Sequence, residues 1–510
     1  MASQANPERA SITWIKVLDQ SLCIGCHACT TACKSENEVP LGVTRTYVKS
    51  VDVGMFPQAR RAFQVTRCNQ CEDAPCVVAC PTAAMYRRPD GIVDFDKSVC
   101  IGCKACIAAC PYDAIFINPD DHSAEKCNFC SHRIDAGLEP ACVVVCPTQA
   151  IFVGDLHDPA ARATQVVNRQ PVQVRRPEKE TRPKVFYRGA TEMTLDPLAA
   201  RRPEGGLFMW SEQGAVPGQV TSGHSGSANS SAAAVLSYDV PHRAPWDWRV
   251  SLYTWTKGIA AGVYLVALGL DLAGALRPQG SLWLLAAPAL AIAFLAATGV
   301  VLILDLEHPL RFVYIFTRPQ WRSWLVRGAL IICGFGVVLA LHLLFGLLGL
   351  GGPARWLGLA GAPLAVGTAV YTGYLFAQAK ARDLWQSPLL PPHLLVQAAL
   401  AGSAALLPVA AWLEPGTVRP LEAALVAAVV AHLLMALGEA TLGHPTAHAA
   451  LAAHELRSGR YARVFWVGVA AVALSALAPW LGPVAAVPAL VGLLLHEHAY
   501  VQAGQAVPLA

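Results

Sequence analysis

All but one of the 17 cysteines lie between Cys23 and Cys146. They fall into four groups: Cys23-Cys26-Cys29-Cys33, Cys68-Cys71-Cys76-Cys80, Cys100-Cys103-Cys106-Cys110 and Cys127-Cys130-Cys142-Cys146. Closely spaced cysteines in fours are the pattern of iron–sulfur ligation, in which thiolates hold the iron. Three groups end in Cys-Pro, at Cys80-Pro81, Cys110-Pro111 and Cys146-Pro147. In two-cluster ferredoxins the Cys before that Pro ligates the other cluster of a pair. Zinc sites more often show two CxxC pairs across a spacer. A disulfide framework belongs to an exported chain. The opening stretch MASQANPERASITW has neither an apolar core segment nor a twin-arginine pair, so no export signal is expected. The chemistry implied is therefore one-electron transfer. Cys333 stands alone in an apolar run and reads as a small buried hydrophobe.

The elements that must position these thiolates are short. The run AAMYRRPDGIVDFD places two β-rich pieces around Pro89-Asp90-Gly91, a hairpin signal. AIFIN (114–118) and AIFVG (150–154) read as matching strands after the third and fourth groups. With little long helix here, metal sites more than a large apolar core should hold the segment together. Residues 155–210, rich in Pro and Arg, read as an extended tail wrapping this domain. GQVTSGHSGSANSSAAA (218–234) reads as a Gly/Ser/Ala linker.

The rest of the chain is of another kind. Eight apolar segments follow, at about 251–275, 281–306, 324–350, 356–379, 392–413, 420–442, 464–481 and 483–503, and about 20 apolar residues suffice to cross a bilayer as helix. The expected fold is thus an α+β ferredoxin-like four-cluster domain (1–200), a linker and membrane approach (201–249), and an all-α eight-helix transmembrane bundle in the lipid bilayer (250–510). An even count of crossings puts the linker and the last segment's end on one face. Loops on that face carry Arg311, Arg318, Arg322, Lys380, Arg382, Arg457, Arg460 and Arg463, against Arg277, Arg355 and Arg419 opposite. The positive-inside rule then sets the cluster domain on the cytoplasmic side of a bacterial inner membrane. A net charge of +4 is too small and dispersed to suggest nucleic-acid binding.

QCEDAPCVVACPTAAM (70–85) and KSVCIGCKACIAACPYDAI (97–115) resemble the four-cluster subunit of molybdopterin oxidoreductases of the dimethyl sulfoxide and polysulfide reductase family. YTWTKGIAAGVYL (253–265) and DLEHPLRFVYIFTRPQWRSWLVRG (305–328) resemble the NrfD/polysulfide-reductase membrane anchor. The resemblance implies four [4Fe–4S] clusters with a set pairing. Cys23, Cys26, Cys29 and Cys146 would hold one; Cys33, Cys127, Cys130 and Cys142 the next; Cys68, Cys71, Cys76 and Cys110 a third; Cys80, Cys100, Cys103 and Cys106 the fourth. It also implies a catalytic partner holding molybdenum or tungsten bis-pterin at one end and a bound quinone, menaquinone or ubiquinone, at the other. Substrate chemistry would then lie on the partner chain. Two rivals carry the same modules: a respiratory assembly without a pterin partner, and a proton-translocating membrane unit.

Ionisable residues inside apolar segments are costly and mark function. Lys257 sits about two turns into the first segment. Asp305, His308 and Arg311 close the second on the cluster side, and Glu439 and His444 close the sixth. Lys257, Asp305, His308, Arg311 and Glu439 are the candidate quinone and proton group, since reduction of a quinone takes two protons with two electrons. Trp246, Trp248, Trp321 and Trp324 read as an interfacial belt or as quinone walls. The best placed intramembrane histidines, His342 and His432, differ by about 10 Å in depth, so no b-type haem is expected between them.

Overall fold

A computed structural model of the chain describes residues 12–54, 56–201, 234–277 and 280–509. The cysteine-rich half is built on strands β1 (Trp14–Asp19), β2 (Thr46–Val53), β3 (Arg60–Arg67), β4 (Met85–Arg87), β5 (Val93–Phe95), β6 (Ile115–Ile117), β7 (Ala124–Lys126), β8 (Ile151–Asp155), β9 (Val172–Gln173), β10 (Val185–Arg188) and β11 (Ala234–Tyr238). β4–β5 and β6–β7 are hairpins. The first turns at Pro89-Asp90-Gly91, where Gly91 takes a positive φ of 78° and Asp90 Oδ1 accepts from Ile92 N.

The 155–210 stretch does more than wrap. Its β10 runs parallel to β1, inside a sheet ordered β8-β1-β10-β9. Val185 and Tyr187 alternate with half-exposed neighbours, which is why a short VFYR run in a Pro- and Arg-rich stretch can sit in the sheet. Most of the expected linker, residues 202–233, lies outside the described residues. Its end is β11, which pairs antiparallel with β2 in a β11-β2-β3 sheet.

Among the described residues, seven helices are long and apolar enough to cross a membrane: Trp248–Leu272, Leu282–Leu304, Trp324–Leu347, Gly351–Gln378, Leu390–Leu413, Pro415–Thr441 and Ala478–Gln505. We number them as the first to sixth and the eighth membrane helices. The segment expected at 464–481 is instead a 14-residue helix, Ala462–Ser475, that breaks before Ala478–Leu481. At about 1.5 Å per residue it spans about 21 Å, short of the roughly 30 Å hydrocarbon layer. It lies along the eighth helix, where Gly468 and Gly492 let the two backbones meet; a Cβ on Gly468 would stand 2.9 Å from Gly492 O.

The fifth helix is the centre of the bundle, with 67% of its most apolar stretch buried against 17% for the third. Gly262 of the first helix and Gly402 of the fifth cross there. A Cβ on Gly262 would fall 1.7 Å from Ala398 O, so only glycine permits this approach. Cys333, expected buried, is exposed on the outside of the third helix. In an apolar run of this length that outer face meets lipid, which accepts a thiol as readily as a core does.

Candidate electron-transfer sites and their junction with the membrane half

The cysteine loops wind through left-handed residues that turn successive N–H groups inward. Gly25 and His27 do this in the first group, and Gly102 and Lys104 in the third. Such concave backbone suits an anionic iron–sulfur cluster. Three cavities show the result. One is lined by Cys23, Cys26, Cys29 and Cys146, a second by Cys68, Cys71, Cys76 and Cys110, and a third by Cys80, Cys100, Cys103 and Cys106. The remaining four, Cys33, Cys127, Cys130 and Cys142, lie within charge–charge range of one another. All sixteen are free thiols.

Backbone N–H groups of Met85, Ala124 and Ala150 donate to the sulfurs of Cys80, Cys100 and Cys146 at 3.4, 3.4 and 3.3 Å. Burial pushes the Cys71 and Cys110 thiols up to about 12, so these sulfurs need a cation before they can sit buried as thiolates. Cys142 already has cations beside it. Burial opposes its ionisation, but Lys16 and Arg67 outweigh it and bring the thiol down to about 7. Buried Cys sets whose sulfurs accept from N–H groups, and from Lys16, Arg67 and Asn37, fit four-iron cubanes.

The sets stand in a row. Cys142 acts electrostatically on Cys29, Cys127 on Cys68, and Cys76 on Cys106, linking first set to second, second to third, and third to fourth. At the outer end Cys26 is exposed. At the inner end the loop around Cys100 and Cys103 rests on the membrane half. Arg311 donates to the carbonyls of Lys97 and Cys100 at 3.0 and 2.9 Å. His308 N donates to Ile101 O at 3.3 Å, and Lys104 pairs with Glu307 at 2.9 Å. Gly102 packs so closely on Glu307 that a Cβ would stand 2.4 Å from it. Trp246 Nε1 donates to Cys103 O at 3.2 Å while its ring stacks on Phe376 and Trp385.

The five candidate quinone residues separate into three places. His308 and Arg311 hold the cluster loop, with Asp305 beside Lys104 at 4.0 Å. Lys257 is buried below, donating to Ala369 O at 2.7 Å with its ammonium 5.3 Å from the Tyr371 ring. Buried around it are Tyr253, Thr368 and Thr372, and the hydroxyls of both threonines have no hydrogen-bond partner. Glu497 of the eighth helix, buried as well and not singled out from the sequence, lies within charge–charge range of it. Glu439 lies elsewhere, accepting from Tyr500 OH at 3.1 Å and standing 3.9 Å from His393. Trp324 stacks on Tyr374, whereas Trp248 and Trp321 are exposed. Of the two histidines weighed for haem, His342 bonds Tyr264 OH at 2.8 Å, while His432 sits with His393 and His496.

Residues 237–508 match the family described as polysulphide reductase, NrfD. The chain belongs to this NrfD family. Ahead of that half, residues 59–156 match the 4Fe-4S dicluster domain family. Over 193 residues the chain is 41% identical to a tetrathionate reductase subunit of Salmonella typhimurium, covering 36% of this chain and 76% of that protein. It is 44% identical over 171 residues to a polysulfide reductase subunit of Wolinella succinogenes, 33% of this chain and 90% of that one. Over 220 residues it is 34% identical to the arsenate respiratory reductase iron–sulfur subunit ArrB of a Shewanella species, 34% and 94% respectively. This NrfD protein is therefore an iron–sulfur electron-transfer protein and its own multi-pass membrane anchor in one polypeptide.

Proposed function

We propose that the chain relays electrons through four [4Fe–4S] clusters between a molybdenum or tungsten bis-pterin catalytic subunit and the membrane quinone pool. The observation that carries this reading is the junction. The cluster set Cys80, Cys100, Cys103 and Cys106 rests on the membrane half through Arg311, Trp246 and Gly102, above the buried polar group of Lys257, Tyr253, Tyr371 and Thr372. When bound, the clusters would pass single electrons along the row. The chain's own residues hold them: sixteen cysteines as ligands, with inward N–H groups and the Lys16 and Arg67 cations balancing their negative charge.

At the membrane end Lys257 offers a donor to a quinone carbonyl, held in place by Ala369 O and the Tyr371 ring. Asp305, at the end of the second helix, lies on the route between that site and the cluster-side surface and suits proton delivery. Arg311 and His308 are positioning residues for the cluster loop. The exposed outer end, at Cys26, is where the catalytic partner would dock. The reductases named above support such a partner, and a sulfur-oxyanion, polysulfide or arsenate substrate class falls within their range. The excess of cations in the cluster-side loops supports a cytoplasmic cluster domain on a bacterial inner membrane. Arg382 counts for less in that vote, being buried on the carbonyls of Gln505 and Val507.

Two measurements test this. The complex purified with its native partner should contain molybdenum or tungsten; absence of both would remove the pterin partner. In proteoliposomes, quinol should reduce the clusters, and Lys257→Met should slow that step at least about tenfold, the weight of one lost charge-assisted hydrogen bond. Equal quinol-driven rates, with dithionite reduction as control, would remove Lys257 from the quinone site.

A further inference from the structure

Three histidines from three helices converge inside the membrane half. His393 comes from the fifth helix, His432 from the sixth and His496 from the eighth. Each offers a ring nitrogen within 4.8 Å of the others. All three are buried, at 3%, 0% and 2% exposure. His393 Nε2 and His432 Nδ1 are 3.0 Å apart. His432 Nε2 and His496 Nδ1 have no hydrogen-bond partner. An unpartnered polar atom in such surroundings costs on the order of 1–3 kcal/mol. Three apolar helices would not be expected to carry that cost at one point without return.

One of the three histidines also has a carboxylate near its second ring nitrogen. Metal-bound imidazoles commonly turn the other ring nitrogen to a carboxylate, which fixes ring orientation. His393 Nδ1 stands 3.9 Å from Glu439 Oε2, and that carboxylate is itself oriented by Tyr500 OH at 3.1 Å. Three nitrogens at about 2.0–2.1 Å from one ion lie about 3.3 Å apart, so the existing separations close with side-chain movements of about 1 Å. Three neutral imidazoles with no carboxylate ligand suit a borderline divalent ion, zinc above all, with one position left open.

We infer that His393, His432 and His496 form a zinc-class divalent metal site in the membrane half, with Glu439 and Tyr500 as its orienting pair. The site goes beyond the electron relay and does not depend on it. It ties the fifth, sixth and eighth helices together beside the relay, since His496 adjoins Glu497, which lies within charge–charge range of Lys257.

The full chain, purified with its clusters, should be incubated with one equivalent of Zn²⁺, desalted and analysed for metals. The expected result is about one zinc per chain beside about 16 irons from four clusters, with a zinc-edge absorption spectrum showing imidazole nitrogens at about 2.0 Å. His432→Gln and His393→Gln should each lower zinc retention at least about tenfold with iron unchanged. Should either variant also lose iron, Glu439→Gln decides instead. A fall of about 10–100-fold in zinc affinity supports the site, and unchanged affinity overturns it. Wild-type chain that retains no zinc, or His432→Gln that retains as much as wild type, also overturns it and leaves the three rings as a hydrogen-bonded imidazole group.

Discussion

Arg67 should set the potential of the second cluster in the row. It is 1% exposed at the end of β3, and its Nη1 donates to Cys142 Sγ at 3.1 Å. Its Nε and Nη2 have no partner, so the whole guanidinium charge is spent on the cluster side. Reduction adds one negative charge to the cluster. A fixed cation nearby stabilises the reduced form, and its removal must lower the midpoint potential. With the charge about 6 Å from the cluster centre and an effective dielectric of about 20, the interaction is about 3 kcal/mol. Since 1.4 kcal/mol and 59 mV are each a factor of ten for one electron, the expected fall for Arg67→Met is about 120 mV. Methionine keeps most of the volume, so the site should not collapse. The measurement is an electron paramagnetic resonance redox titration of the intact chain. One of the four cluster signals should move by about this amount and the others by less. A shift under about 30 mV, or an upward one, would refute the electrostatic reasoning.

Other consequences follow from buried groups outside the membrane. His242 is held between Asp113 and Asp239 in the approach to the first membrane helix. Burial opposes its protonation, but the two carboxylates outweigh it and raise the ring to about 10. Its folded pKa therefore lies above its unfolded value of about 6.5. The stability it contributes is complete below about pH 6.5 and is lost as the pH rises towards 10, up to on the order of 5 kcal/mol. Thermal unfolding followed over that range should show the decline, and His242→Gln should flatten it; a slope equal to wild type would count against the triad. Gly262→Val should prevent the first and fifth helices from meeting and abolish the folded membrane half, leaving cluster iron in place, since the Cβ would overlap Ala398 O. A variant with normal thermal stability would show that the crossing can open without loss.

The candidate cluster cysteines were legible because each group of four writes its spacing into one short stretch, although each set in space draws on two groups. Three cavities of the structure bring twelve of those cysteines together in fours. Seven of the eight expected membrane segments were legible from composition, since hydrocarbon demands continuous apolar runs. Which face of such a helix looks inward is not written there: when nearly every residue is apolar, periodicity carries no signal. That is why His393 and His496 were missed while His432 was compared with the wrong partner, His342, by depth alone. Glu497 escaped for the same reason. Taking every histidine and carboxylate inside the apolar runs as a candidate would have included all three. The parallel pairing of β10 with β1 was hidden differently: four residues within a proline-rich stretch gain their strand character only from the neighbour they meet.

The junction also bears on whether the two halves need their connecting chain. The relay works only if the fourth cluster keeps its distance from the membrane site. Among the described residues, several contacts across the junction hold the two halves together directly. Arg175 donates to Leu509 O at 3.1 Å, Arg176 meets His448 at 2.8 Å, and Lys179 pairs with Asp383, all across the junction. β11, which follows that stretch, completes a sheet with β2 and β3 of the cluster domain, as strand addition does between separate chains. Arg175 is fully buried and Arg176 nearly so, and breaking one buried charged contact typically costs 3–5 kcal/mol. A protease site placed between residues 202 and 233 should therefore yield two fragments that stay together. After cleavage in detergent they should co-elute on size exclusion, with cluster potentials and quinol-driven reduction unchanged. Separation of the fragments, or slower cluster reduction by quinol after cleavage, would show that the tether and not the interface sets the electron-transfer distance.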